Sequence, residues 1–103
     1  KENDEIEFGN KKLKVFETPG HTKEGIILVS VEDRLLFSGD TIFRGSIGRT
    51  DLGGSYDELM KSIKDKIMNN PVITDEFKIY PGHMGTTTVA RERSSNPYRD
   101  DFL

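Results

Sequence analysis

The chain holds two histidines, and both stand in the same tripeptide, Pro19-Gly20-His21 and Pro81-Gly82-His83. Each tripeptide follows a short apolar or β-branched run. Between them, Phe37-Ser38-Gly39-Asp40-Thr41 places a carboxylate after a glycine at the end of another apolar run. Glycine lets the backbone turn where a side chain would clash. Proline has no amide proton to give and so ends ladder pairing. A strand that runs into Pro-Gly stops abruptly and projects its next side chain over the sheet edge. Neutral imidazole and carboxylate oxygen are ligands for Zn(II) and related ions. Taken singly, each of these residues is an ordinary turn former. Because every histidine shares one local setting, His21, Asp40 and His83 are the candidate metal ligands.

The elements that must position them are readable from periodicity. Glu5-Ile6-Glu7-Phe8 alternates polar and apolar, Gly9-Asn10 turns, and Leu13 to Phe16 resumes the alternation, predicting a β-hairpin that feeds His21. Ile26 to Val31 is a continuous apolar run rich in β-branched residues, expected to be a strand covered on both faces. Leu35-Leu36-Phe37 returns the chain to Asp40 as a second hairpin. Residues 41–54, with Gly45, Gly48, Gly53 and Gly54, read as a long loop of the kind that is often functional. Ser55-Tyr56-Asp57-Glu58 is a capping box, in which the Ser55 hydroxyl accepts from the Glu58 amide while Glu58 reaches back. Leu59, Met60, Ile63 and Ile67 then recur at helical spacing until Asn69-Asn70-Pro71 stops the helix. Phe77 to Tyr80 is a short strand delivering His83. A short helix over Thr86 to Arg93, capped by a threonine, and an irregular tail over 94–103 complete the expectation.

Composition bounds the rest. At 103 residues the chain is one domain at most, with 33% hydrophobic and 32% charged residues, so its core is lean. A net charge of −3 gives no electrostatic case for nucleic acid or an anionic membrane surface. No apolar run approaches the ~20 residues of a membrane span. No signal peptide is visible, which suggests a cytoplasmic protein. Cysteine is absent, excluding disulfides, thiolate ligands and a cysteine nucleophile. No Gly-x-Ser-x-Gly elbow is present. Gly45-Ser46-Ile47-Gly48 lacks the Gly-Lys-Ser/Thr of a phosphate loop. Arg44 and Arg49 could meet an anionic substrate or pair with acids such as Asp51.

Thr18-Pro19-Gly20-His21-Thr22, Phe37 to Phe43, Gly48-Arg49-Thr50-Asp51 and Tyr80-Pro81-Gly82-His83, in that order, resemble the metallo-β-lactamase superfamily, and within it the glyoxalase II-like hydrolases. Thr86-Thr87 and Asn96-Pro97-Tyr98 are similar to the ending of that branch. The resemblance covers nearly the whole chain but departs at one point: the His-x-His-x-Asp-His motif of the family's first half is absent. It therefore implies that residues 1–103, starting at Lys1, are the C-terminal half of an αββα sandwich, an α/β (α+β) fold of antiparallel hairpins, one long helix and a short C-terminal helix. It implies that His21 belongs to one metal and His83 to a second, that Asp40 bridges both, and that Thr41, Arg49 and Asp51 position ligands or loops. The implied cofactors are two divalent ions, zinc foremost, with iron or manganese as alternatives.

The implied reaction is hydrolysis of a small-molecule thioester or related carbonyl by a water made acidic between the metals, with the isolated chain inactive until the missing N-terminal half is supplied. Two other readings remain open: a mononuclear iron persulfide dioxygenase, which would leave His83 unligated, and a non-catalytic binding or assembly domain. A half sandwich would also leave a sheet uncovered, so self-association through that sheet is expected.

Overall fold

Strand direction decides where the candidate ligands meet. The computed structural model describes residues 2–103, with Lys1 and the Phe8 side chain outside the description. Strands β1 (Glu5–Phe8) and β2 (Lys11–Glu17) form the predicted hairpin, and β3 (Ile26–Ser30) and β4 (Leu35–Gly39) the second. β2 pairs antiparallel with β3, and β3 with β4, so β2 and β4 run in the same sense. β7 (Lys78–Pro81) then joins β4 in parallel rather than as another hairpin partner. A short strand β8 (Thr87–Thr88) closes the six-stranded order β1-β2-β3-β4-β7-β8. The C-terminal ends of β2, β4 and β7 therefore lie along one rim of the sheet.

One face of that sheet is packed. Phe16, Ile27, Val29, Leu36 and Ile79 alternate onto it and meet Leu59, Met60, Ile63 and Ile67 of the helical segment, with Val89 and Phe102, in a single core cluster. Helix α1 covers Tyr56–Ile63 and continues as a π-helical stretch over Lys64–Met68, so the apolar spacing read from sequence is the buried stripe. Lys66 in this stretch binds Glu2 at 2.7 Å.

The other face is open. The expectation that Ile26 to Val31 is covered on both faces is corrected: Ile27 and Val29 are fully buried, while on the opposite face Ile26 is 42% exposed and Leu28 lines an open groove. Ile6, Leu13, Leu28, Leu35 and Phe37 line a shallow apolar groove of about 540 Å³ on this side. Phe37 stacks on Tyr80 across β4 and β7, with ring centroids 5.7 Å apart.

Two further expectations are corrected. The 41–54 loop contains a two-stranded ribbon, β5 (Ile42–Phe43) paired with β6 (Ser46–Ile47). Strands of two residues are too short to show alternation, which is why periodicity missed them. The irregular tail over 94–103 is instead helical in part. Helix α2 runs Val89–Ser95 with Thr88 as its N-cap, and α3 covers Arg99–Phe102, burying Phe102 completely. The tail's polar composition hid a single anchoring aromatic.

A hydrogen bond from the Tyr56 hydroxyl to the Asp101 carboxylate ties α1 to α3. That bond, with partial desolvation and the nearby negative charge, pushes the Tyr56 phenol from its usual 10 up to about 12. The folded value lies above the unfolded one, so the contact contributes fully below pH ~10 and is lost as pH rises through about 12. Spectrophotometric titration should show a tyrosine ionising near pH 12, and Asp101→Asn should bring it back towards 10. An identical titration in the unsubstituted and Asp101→Asn chains would refute the contact.

Candidate metal centre

The turn after β2 is held from above by α1. Ser62 donates to the Pro19 carbonyl at 2.7 Å, and the Ser55 amide donates to the Gly20 carbonyl at 2.8 Å. The second bond modifies the capping box. Ser55 Oγ accepts from the Glu58 amide at 3.2 Å as expected, but the Ser55 amide that Glu58 would have reached is taken by Gly20. The helix cap is thus also a clamp on the turn that presents His21. Gly20 adopts φ +144°, and a Cβ there would lie 2.4 Å from the Leu59 Cα. Helix and turn touch backbone to backbone, which is a mechanical reason for glycine at this position.

At the rim, the three candidate side chains converge on Asp40. His21 Nε2 lies 3.6 Å from Asp40 Oδ2, and His83 Nδ1 lies 3.2 Å from Asp40 Oδ1. Each carboxylate oxygen thus faces a different imidazole. His21 Nδ1 is 2.7 Å from the Arg49 carbonyl oxygen. A carbonyl only accepts, so Nδ1 carries a proton, and a ring with its single proton there presents its lone pair at Nε2, the atom that faces Asp40. A backbone carbonyl holding the far nitrogen is the usual orienting contact for a metal-binding histidine. His83 is more open, with 70% of its side chain exposed, and meets the edge of Phe43 at 5.7 Å. Gly82 donates its amide to the Gly39 carbonyl at 2.8 Å, holding the third turn against the second.

Thr41, Arg49 and Asp51 take specific places around this group. Thr41 Oγ1 and Thr18 Oγ1 share a buried hydrogen bond of 2.9 Å, linking the residue after Asp40 to the end of β2. The Arg49 guanidinium makes two 2.9 Å hydrogen bonds to Asp51, which hold the Asp51 carboxyl below its ordinary range and raise the Arg49 value. Both side chains are mostly exposed. Arg49 touches the centre through its main-chain oxygen, a contact that residue type cannot signal. Sequence reasoning also missed Thr18, Ser62 and Phe43. Thr18 adjoins Pro19, and Ser62 stands among the buried positions of an amphipathic helix, so each carried a weak local cue.

The donor set fits divalent ions in kind and falls short in number. It offers one carboxylate with both oxygens directed at imidazoles and one imidazole whose tautomer suits ligation. Among the described residues, no group of three or more His, Cys, Asp or Glu side chains could hold a metal ion by itself. No helix is long and apolar enough to cross a membrane, among the described residues.

Comparison with known proteins places the chain in a family. The Metallo-beta-lactamase superfamily model matches residues 1–87. Hydroxyacylglutathione hydrolase GloC of Haemophilus influenzae is 37% identical over 84% of this chain and 40% of its own length. The crystal structure of ETHE1 from Myxococcus xanthus superposes with a TM-score of 0.85 at 30% identity, over 100% of this chain and 48% of that one. A di-iron-bound form of TTHA1623 superposes with a TM-score of 0.81 at 34% identity, over 95% of this chain and 46% of that one. The chain spans less than half the length of the curated relatives it matches.

Proposed function

The chain belongs to the Metallo-beta-lactamase superfamily, and from that membership we propose that it supplies His21, Asp40 and His83 to a binuclear metal centre that hydrolyses a small-molecule thioester. The observation that carries this reading is the division of Asp40 between two imidazoles, at 3.6 Å through Oδ2 and 3.2 Å through Oδ1. One carboxylate so placed is suited to be shared by two ions, with His21 on one side and His83 on the other. Zinc, iron or manganese held there would supply an acidified water and a Lewis acid for a carbonyl oxygen. The protein's own contribution is orientation. The Arg49 carbonyl keeps the His21 proton on Nδ1, and the three Gly-led turns fix where the ligands stand. The thioester class is supported by the likeness to GloC.

The further ligands would come from the other half of the domain, which would also cover the open face around Leu28 and Phe37. Adding an N-terminal half from a relative should raise zinc affinity, slow hydrogen exchange over Ile26–Ser30 and produce hydrolysis of a glutathione thioester. Tight stoichiometric zinc binding and full turnover by the chain alone would overturn this division of labour.

A second reading is favoured by the exposure of His83. In it, a single iron would be held on the His21 side of Asp40, His83 would have no ligand role, and the reaction would be oxygen-dependent, on a persulfide. Two metals per complete domain with no oxygen uptake support the hydrolase. One iron with oxygen consumption supports the dioxygenase.

A further inference from the structure

The least expected group in the core is a carboxylate. Glu92 on α2 is 1% exposed, and Asn96 at the end of the same helix is fully buried. The burial is matched by hydrogen bonds, as burying a carboxylate requires. Glu92 Oε1 accepts from the Gly45 amide at 3.0 Å and from Asn96 Nδ2 at 2.8 Å, while Oε2 accepts from the Thr87 hydroxyl at 2.6 Å. Asn96 Nδ2 also donates to the Ser46 carbonyl at 3.1 Å. Gly45 and Ser46 adjoin at the tip of the β5–β6 ribbon. The pair therefore grips that tip by one amide and one carbonyl.

The ribbon and the residues flanking it reach every member of the centre. The ribbon begins just after Asp40. Its Phe43 ring meets His83. The Gly48 amide closes onto the Thr41 carbonyl at 3.2 Å, so tightly that a Cβ on Gly48 would lie 1.9 Å from the Asp40 carbonyl oxygen. Beyond Gly48 comes the Arg49 carbonyl that holds His21.

We propose that Glu92 and Asn96 are positioning residues, which anchor the β5–β6 ribbon and through it set the tautomer and orientation of His21 against Asp40. The ligand role of His21 rests on the reading above; the positioning role is defined on the ribbon itself. The grip depends on hydrogen bonds and not on charge. A glutamine at 92 can keep its oxygen on Gly45 and Asn96 and donate its amide to the Thr87 hydroxyl, which is able to accept.

The test is ring-nitrogen NMR on the full chain without metal, in alkaline buffer where imidazole is neutral. In the unsubstituted chain His21 should be chiefly the Nδ1–H form. Glu92→Ala and Asn96→Ala should each lower the ratio of Nδ1–H to Nε2–H by up to about tenfold, the worth of one amide-type hydrogen bond. Glu92→Gln should stay within about twofold of the original. Should Glu92→Ala fail to fold, Asn96→Ala, which leaves the Gly45 and Thr87 bonds to Glu92 in place, carries the test. An unchanged ratio in folded Asn96→Ala overturns the proposal, and so does a Gln variant that shifts as far as Ala. Zinc titration of the complete domain separates the two levels. A shifted ratio with unchanged zinc affinity keeps the positioning role and sinks the ligand role of His21.

Discussion

Asp40→Ala should abolish tight metal binding and turnover together in the complete domain while leaving the fold standing. The two effects separate because the carboxylate is 44% exposed and, among the described residues, it faces the two imidazoles. Removing it leaves no buried donor unpaired, so the melting temperature should move by only a few degrees. Loss of a group that merely orients a ligand costs about 10–100-fold in metal affinity or activity. A carboxylate shared by both ions should cost more than that, for it takes an oxygen from each site at once. Asp40→Asn should fall between, because one carbonyl oxygen is kept and the opposite position becomes a donor that repels a cation. Metal content by elemental analysis, set beside thermal melting, reads both quantities. Full metal content and full turnover in Asp40→Ala would remove the assignment.

Gly20→Ala should be strongly destabilising. Two costs add. At φ +144° an L side chain is strained by about 1–3 kcal/mol. The added carbon would also stand 2.4 Å from both Leu59 Cα and Cβ, so α1 would have to move off the turn, at a further ~1–3 kcal/mol. For a domain of this size a total of about 2–6 kcal/mol corresponds to a fall in melting temperature of roughly 8 °C or more. Ser62→Ala, which deletes only the 2.7 Å bond to the Pro19 carbonyl, should cost about 1 kcal/mol. Denaturant melts of the two variants give the comparison. Equal and small losses in both would mean that helix and turn are not pressed together as the backbone distances indicate.

Several parts of this structure are legible locally. The stripe of Leu59, Met60, Ile63 and Ile67 predicts its own burial because a helix brings every third and fourth residue to one face. The Ser55 cap, the two hairpins and the three Gly-led turns are likewise set by a few neighbouring residues. The irregular tail failed for the opposite reason. Phe102 is buried by contacts with elements distant in sequence, and nothing beside it announces that. The two faces of β3 failed similarly, since an apolar run shows what a strand can bury but not what lies against it.

What the sequence by itself determined is the chemistry on offer: two imidazoles and a carboxylate, each at a strand end, with no thiolate to compete. Only the tertiary structure decided that these groups share a centre. That outcome depends on β2, β4 and β7 running in one direction, a consequence of long-range pairing that no local spacing encodes. It also decided which atoms orient them. The Arg49 carbonyl on His21 and the Gly20 carbonyl on Ser55 are main-chain groups present in every residue, so residue type gives no sign of them.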